Sequence, residues 1–333
     1  MDPLTQGIVG ATLPQASVRG RDVASAGVLG FLAGMAADLD VLIRSSADPL
    51  LFLEYHRQFT HSLVFIPIGG LICALVLHAV LGRRRGLAFR QSWLFCTLGY
   101  ATHALLDSCT TYGTMLFWPF SDVRIAWNTI SIIDPLFTLP LLAAVLLAGY
   151  KRKPVYARVG LVWALAYMSL GLWQRNVAVD MGQELAASRG HTPLRLEAKP
   201  SFANILVWKV VYETDDRFYV DAVRTGLSPQ VYPGDSVLTL DLERDMPWLD
   251  RDSQQARDIE RFRWFSNGYI AKDPVYSNRV IDIRYSMVPN EVDALWSIEL
   301  NPGAARDEHV AYRVHRDASP ELRARIWQMV TGR

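Results

Sequence analysis

Trp93-Leu-Phe-Cys-Thr-Leu-Gly-Tyr-Ala-Thr-His103-Ala-Leu-Leu-Asp107 is an apolar run that ends with an imidazole and a carboxylate four residues apart. Residues i and i+4 share one face of a helix, so the two polar groups are stacked on one turn. Ionisable groups in so apolar a segment are costly, and they pair, face a wet cavity or bind an ion. One reading makes His103 and Asp107 two ligands of a divalent metal. The other makes them a buried hydrogen bond that ties helices together. The run alone leaves both open.

Outward from this run, the chain of 333 residues divides by composition. Residues 23–173 are dominated by apolar stretches, near 24–43, 62–82, 92–107, 131–150 and 156–173. Residues 174–333 read as an ordinary soluble domain. The 21 residues of 62–82 make about 31 Å of helix, enough to span a hydrocarbon core. The stretch 4–16 is too short to span and is expected to dip into the membrane or pack on the bundle. The expected fold is a membrane α-helical bundle of about five spans plus an N-terminal half-helix over 1–173. A soluble α+β domain over 174–333 follows. A net charge of +1 gives no reason to expect nucleic acid as a partner. MDPLTQG has no basic region of the signal-peptide kind, so the apolar segments are expected to direct insertion. Cys73, Cys96 and Cys109 form no CxxC pair and are expected to be packing residues.

Loop charge orients the bundle. Loops 14–22, 83–91 and 151–158 carry two, four and four Lys/Arg, whereas 44–61 and 108–129 carry two and one. Ten against three places the first set in the cytoplasm. Five spans then put residues 174–333 outside an inner membrane. The same topology brings Asp38, Asp40, His56, His61, His103, Asp107 and Asp134 to one membrane face, although none of them entered the count. His78 lies 17 residues beyond His61, about 25 Å along a helix, and is expected outside the site.

Each motif also has a plain structural reading. In His56-Arg-Gln-Phe-Thr-His61 the histidines do not share a helical face, and they converge only if the chain turns between them. Thr60 is expected to cap a helix starting at His61, and Asp48-Pro49 to start a short helix over 49–57. Asp38-Leu-Asp40 points its carboxylates roughly 200° apart on an unbroken helix, so both serve one site only if the helix ends there or two metals share it. Asp134-Pro135 fits an N-cap and first helical residue, with metal binding as the alternative. Arg57 and Arg124 flank the site and suit an anionic phosphate, or else anchor the chain at the interface. Thr110 and Thr111 orient ligands from behind or cap backbone groups. Gly30-x-x-x-Gly34 permits close helix packing.

The ordered series MDPLTQGIVGA, AADLD, HRQFTHS, HALLDSCTTYGT, WPFSDVR and SIIDP, over residues 1–150, resembles the YdjM-like family of LexA-regulated inner-membrane proteins. The resemblance implies a membrane-embedded metal-dependent hydrolase, distantly similar to zinc-dependent phospholipase C through the His-x-x-x-Asp pair. It carries Asp38, Asp40, His56, His61, His103 and Asp107 over as site residues, with Asp134 beside them. The chain departs from the family at Gln6, where a histidine commonly follows the threonine. Glutamine is a poorer transition-metal ligand. Water takes its place, a second metal is lost, or the site is degenerate.

The expectation is a hydrolase of a lipid or phosphoester substrate at the outer face, embedded in the lipid bilayer. It uses one or two divalent ions, zinc by preference. Asp40, His56, His61, His103 and Asp107 hold metal, Asp38 or Asp134 acts as base, and Arg57 and Arg124 bind substrate. The rival is a non-catalytic metal-binding scaffold or a transporter. Polar residues confined to one face disfavour transport. In the outer domain, strand-like enrichment marks 203–213, 217–224, 236–242, 279–287, 294–300 and 308–316, and helices are expected over 252–265 and 320–330. His191, His309 and His315 are expected to be structural or exposed.

Overall fold

The computed structural model describes residues 1–316 and 319–333, which form two compact units. Unit one comprises Met1–Ile43, Tyr55–Leu172 and Phe202–Asn204. Unit two comprises Arg44–Glu54, Trp173–Ser201 and Ile205–Arg333.

Unit one is helical. Helix α1 (Pro3–Ser17) starts at Asp2, whose carboxylate accepts from Thr5 N, with Pro3 in the first turn. Most of α1 is buried, so the expected half-helix packs on the bundle. Helix α2 (Asp22–Gly34) tightens after Met35 into a 3-10 turn, Ala36–Leu42. Helix α3 (Leu51–Tyr55) belongs mainly to unit two and is shorter than the expected 49–57. Two 3-10 turns, Phe59–His61 and Leu63–Phe65, lead into α4 (Ile66–Leu77), which continues through a π turn, His78–Gly82. The cap before α4 is Ser62, whose hydroxyl accepts from Phe65 N, and not Thr60 as expected. Helices α5 (Phe89–Ser108), α6 (Pro135–Lys151) and α7 (Pro154–Ser188) follow.

Among the described residues, three segments are long and apolar enough to cross a membrane: Asp22–Leu42, Leu63–Arg85 and Pro154–Ser188. The expectation of five spans is therefore supported only at three. Helix α6 has 17 residues, about 25 Å, short of the roughly 30 Å core. It starts at Pro135 because 131–134 is not helical. Helix α5 has the length but carries Arg90, Gln91, Ser92, His103, Asp107 and Ser108. It packs on α1, α2 and α4, and Ser92, His103, Asp107 and Ser108 are buried, whereas Arg90 is exposed.

Glycines set the central crossing. A Cβ on Gly30 would stand 2.4 Å from Gly10 O, one on Gly99 2.4 Å from Gly30 O, and one on Gly34 2.9 Å from Gln6 O. Helices α1, α2 and α5 thus meet backbone to backbone, as the GxxxG spacing allows. This brings the Gly34 carbonyl within 2.6 Å of His103 Nδ1.

Unit two is α+β with two antiparallel sheets. The first holds β1 (Arg195–Pro200), β2 (Val207–Glu213), β3 (Arg217–Arg224) and β4 (Gln230–Tyr232) in that order, with β5 (Ser236–Leu238) also on β3. The second holds β6 (Ile270–Lys272), β7 (Arg279–Asp282), β8 (Trp296–Glu299) and β9 (Ala311–Val314) in order. Between the sheets in sequence come α8 (Leu242–Asp245) and α9 (Gln254–Phe265), and α10 (Pro320–Thr331) closes the chain. Val211, Phe218, Val220, Tyr269, Ala271, Ile281 and Ile283 share one buried core. Residues 44–54 belong to this unit. Arg261 of α9 bonds Asp48 (2.8 Å) and Glu54 (2.5 Å), and Phe52 packs edge-on against Tyr312. His191, His309 and His315 bond Tyr212, Asp258 and Ser297, which is the expected structural use.

Candidate metal centre

In unit one, the last turn of α5 presents His103 and Asp107, both buried. The 3-10 turn Ala36–Leu42 supplies Asp38 and Asp40, and the turn Phe59–His61 supplies His61. Asp38, His61, His103 and Asp107 each offer one ligand atom, and the four atoms lie within 4.8 Å of one another. His61 Nε2 stands 2.9 Å from His103 Nε2, 3.5 Å from Asp38 Oδ1 and 3.2 Å from Asp107 Oδ2. His103 Nε2 stands 3.4 Å from Asp38 Oδ1 and 3.6 Å from Asp107 Oδ2. Four ligands at zinc bond lengths of about 2.0–2.1 Å would be separated by roughly 3.3–3.4 Å in a tetrahedron. The observed separations bracket that value.

Hydrogen bonding fixes the tautomers. Gly34 O can only accept, so His103 Nδ1 carries its proton and Nε2 is a bare lone pair in the neutral ring. Thr60 Oγ1 donates to Asp40 Oδ2 (2.8 Å), so it accepts from His61 Nδ1 (2.9 Å), which also lies 3.2 Å from Asp40 Oδ2. His61 Nε2 is therefore bare as well. Asp107 Oδ2 is buried with no well-aligned hydrogen bond, although Arg57 Nε lies 3.1 Å away. In the neutral rings, two imidazole lone pairs and two carboxylate oxygens thus converge, with Arg57 Nε beside Asp107 Oδ2. Such a set calls for positive charge, supplied by a divalent cation or by a proton on the rings.

Asp38 and Asp40 flank opposite edges of one imidazole, Asp38 at Nε2 and Asp40 at Nδ1 of His61. Helix α2 ends at Gly34, and the 3-10 turn that follows lets both carboxylates serve one site, one of the two conditions the sequence set. Asp40 is otherwise occupied by His56 Nδ1 (2.7 Å) and Arg57 N (3.0 Å). His56 is gathered with Asp38 and Asp40 in a second, more exposed group of three. Burial lowers the pKa of His56 against its bond to Asp40. At His61 burial acts in the same direction, but hydrogen bonds to Asp107, Asp38 and Asp40 outweigh it and raise the pKa to about 10.

The remaining expected residues fall around this cluster. The buried Arg57, at φ 64°, reaches Asp107 with Nε and Thr110 Oγ1 (3.0 Å) with Nη1, and Thr110 Oγ1 donates to Asp107 O (2.7 Å). Arg57 and Arg124 both stack on the Tyr112 ring, 4.8 and 5.3 Å from its centroid, and Arg124 Nη2 donates to Gly113 O. Thr111 is half-buried at the next position of the turn. Asp134 is the N-cap of α6 and accepts from Leu136 N, Phe137 N and the Tyr167 hydroxyl (2.9 Å). It is not among the gathered ligand atoms. His78 bonds Ser92, away from the cluster as expected.

Gln6 lies at the cluster. Its Nε2 donates to Asp107 Oδ1 (2.8 Å), an oxygen the Met1 amine also contacts, and its own Oε1 is buried without a partner. Tyr100, whose hydroxyl donates to Thr60 O (2.7 Å), was not singled out by sequence, and Thr60 was expected only as a cap. Tyr100 stands three residues before His103, on the same helical face, and that spacing was the available signal.

No solved structure matches the chain. The inner membrane protein YbcI of Escherichia coli (strain K12) is 32% identical over 155 residues, covering 44% of this chain and 82% of that protein. The uncharacterized protein YfhP of Bacillus subtilis (strain 168) is 24% identical over 275 residues, 79% of this chain and 78% of its own length. The family model described as YdjM inner membrane protein matches residues 1–178, which include every residue of the cluster. The chain therefore belongs to the YdjM inner membrane protein family.

Proposed function

We propose that the protein is a membrane-bound hydrolase that uses one divalent ion, zinc by its donor set, held by His61, His103 and Asp107. The observation that carries the reading is the convergence of bare, buried lone pairs at 2.9–3.6 Å. When bound, the ion supplies Lewis acidity and acidifies water. Asp38 is the one member of the four that is part-exposed, so water can reach it. Its role is to take the proton from the attacking water. Asp40 holds His61 in the required tautomer. Arg57 balances the charge of Asp107, and Arg124, which stacks on the Tyr112 ring and donates to Gly113 O, would offer a second cation to an anionic group such as a phosphoester. The loop-charge asymmetry supports placing the cluster and residues 174–333 at the outer face.

A second reading has its own observation. The four gathered groups would by themselves supply the four ligands of a closed, structural zinc site. In a scaffold of that kind Asp38 is a ligand and no water is activated. Asp38→Asn separates the two. As base, it leaves about one zinc per chain and lowers turnover at least a hundredfold, within the range for general-base loss. If Asp38→Asn strips the metal from purified protein, the hydrolase assignment of this residue is wrong and the scaffold reading gains.

A further inference from the structure

The segment between α5 and α6 carries a row of uncovered apolar side chains. Phe117 is 50% exposed, Phe120 84%, Val123 62% and Trp127 42%. Its base is tied to the metal cluster. Met115 N donates to Arg57 O (2.9 Å), Trp127 N to Ser108 O (2.7 Å), and Thr114 and Ile125 form an antiparallel bridge. It is also tied to the start of a membrane span, since Leu63 N donates to Leu116 O (3.0 Å). Leu63 and Val64 are themselves exposed, and along Leu63–Arg85 only 17% of the most apolar window is buried. A backbone hydrogen bond thus joins the exposed apolar segment to a helix whose own apolar side chains are largely exposed.

We infer that residues 117–127 are an interfacial wedge seated at the boundary of lipid headgroups and acyl chains, which fixes the metal cluster at headgroup depth. Aromatic side chains favour that boundary, where ring and polar atoms are each accommodated. Patches of this kind in water mark interaction sites. The only ionisable side chains of 117–127 are Asp122 and Arg124, and Arg124 turns back to Gly113 O. The exposed Asp122 keeps the segment out of the hydrocarbon centre. Resting on the hydrolase reading, the substrate class follows: an amphiphile whose anionic headgroup reaches the cluster beside Arg124 while its chains stay in the bilayer. A second copy of the chain covering the same face is the alternative occupant.

The test labels Phe120→Cys with bimane in a C73A/C96A/C109A background of the full chain, reconstituted in phosphatidylcholine–phosphatidylglycerol vesicles. The wedge predicts blue-shifted emission, severalfold stronger quenching by lipids with a doxyl group high on the acyl chain than by chain-end doxyl lipids, and little quenching by aqueous iodide. Dominant iodide quenching overturns it, as does a label shielded from both quenchers by protein. Zinc content is read on the same sample. Lipid quenching in protein that holds no zinc upholds the wedge and removes the hydrolase reading, and with it the substrate class.

Discussion

His103 has only one nitrogen to give, because Gly34 O claims the other, and His61 is committed in the same way by Thr60 and Asp40. The chemistry of the site is decided at these second contacts as much as at the ligands. Asp40→Asn keeps a side chain of equal size but turns an acceptor-only group into one that can donate. The loss of a carboxylate behind a ligating histidine lowers metal affinity by about 10–100-fold. Competition with a chromophoric zinc chelator measures this, and unchanged affinity would remove Asp40 from the account. Gln6 acts on Asp107 similarly, holding Oδ1 so that Oδ2 faces the imidazoles. The family's histidine is absent at this position, yet the position still touches the site.

Elements bring these residues together through their ends. Asp38 lies in the turn that closes the first apolar segment, His61 just before the second, and His103 and Asp107 in the last turn of α5. Asp134 also lies at a helix end, but as the cap of α6 it satisfies two backbone donors and Tyr167. Asp134→Ala is therefore expected to cost stability, about 1–2 kcal/mol for the cap, while metal content stays at the wild-type value. Thermal melting and elemental analysis of one preparation check both, and metal loss without destabilisation would restore Asp134 to the site. The apolar runs, the HALLD pair and the GxxxG crossing were legible because periodicity and small residues carry them directly. The role of Asp38-Leu-Asp40 was not, because it depends on which edge of His61 each carboxylate meets. Thr60 was read as a cap because a hydroxyl before a helix usually is one, and here Asp40 and His61 claim it. Strand β1, Arg-Leu-Glu-Ala-Lys-Pro, lacked the β-branched signature and is held by its full register with β2.

At the scale of the whole molecule, a helical inner-membrane unit carries the candidate chemistry, and a two-sheet unit carries buried charge of its own. Lys199 and Lys209 pair directly across β1 and β2, and both are buried. Lys209 donates to Ser286 Oγ and Glu291 O, neither of which is charged. Burial lowers its pKa to about 7, with Asp282 opposing. The native state then binds fewer protons than the unfolded chain between about pH 7 and the ordinary lysine value near 10.4, so stability rises with pH across that window. The expected slope is about 1.4 kcal/mol per pH unit, and urea unfolding of the full chain should lose that slope in Lys209→Met. A slope that persists in the variant would assign the effect elsewhere. The central claim, that the membrane unit is built around a divalent ion, is tested most directly by elemental analysis of the detergent-purified, zinc-reconstituted full chain beside His103→Ala and Asp107→Ala. The account predicts one zinc per wild-type chain and less than a tenth of that in either variant with helical content intact. Wild-type protein free of metal after reconstitution, or variants that retain it in full, would contradict it.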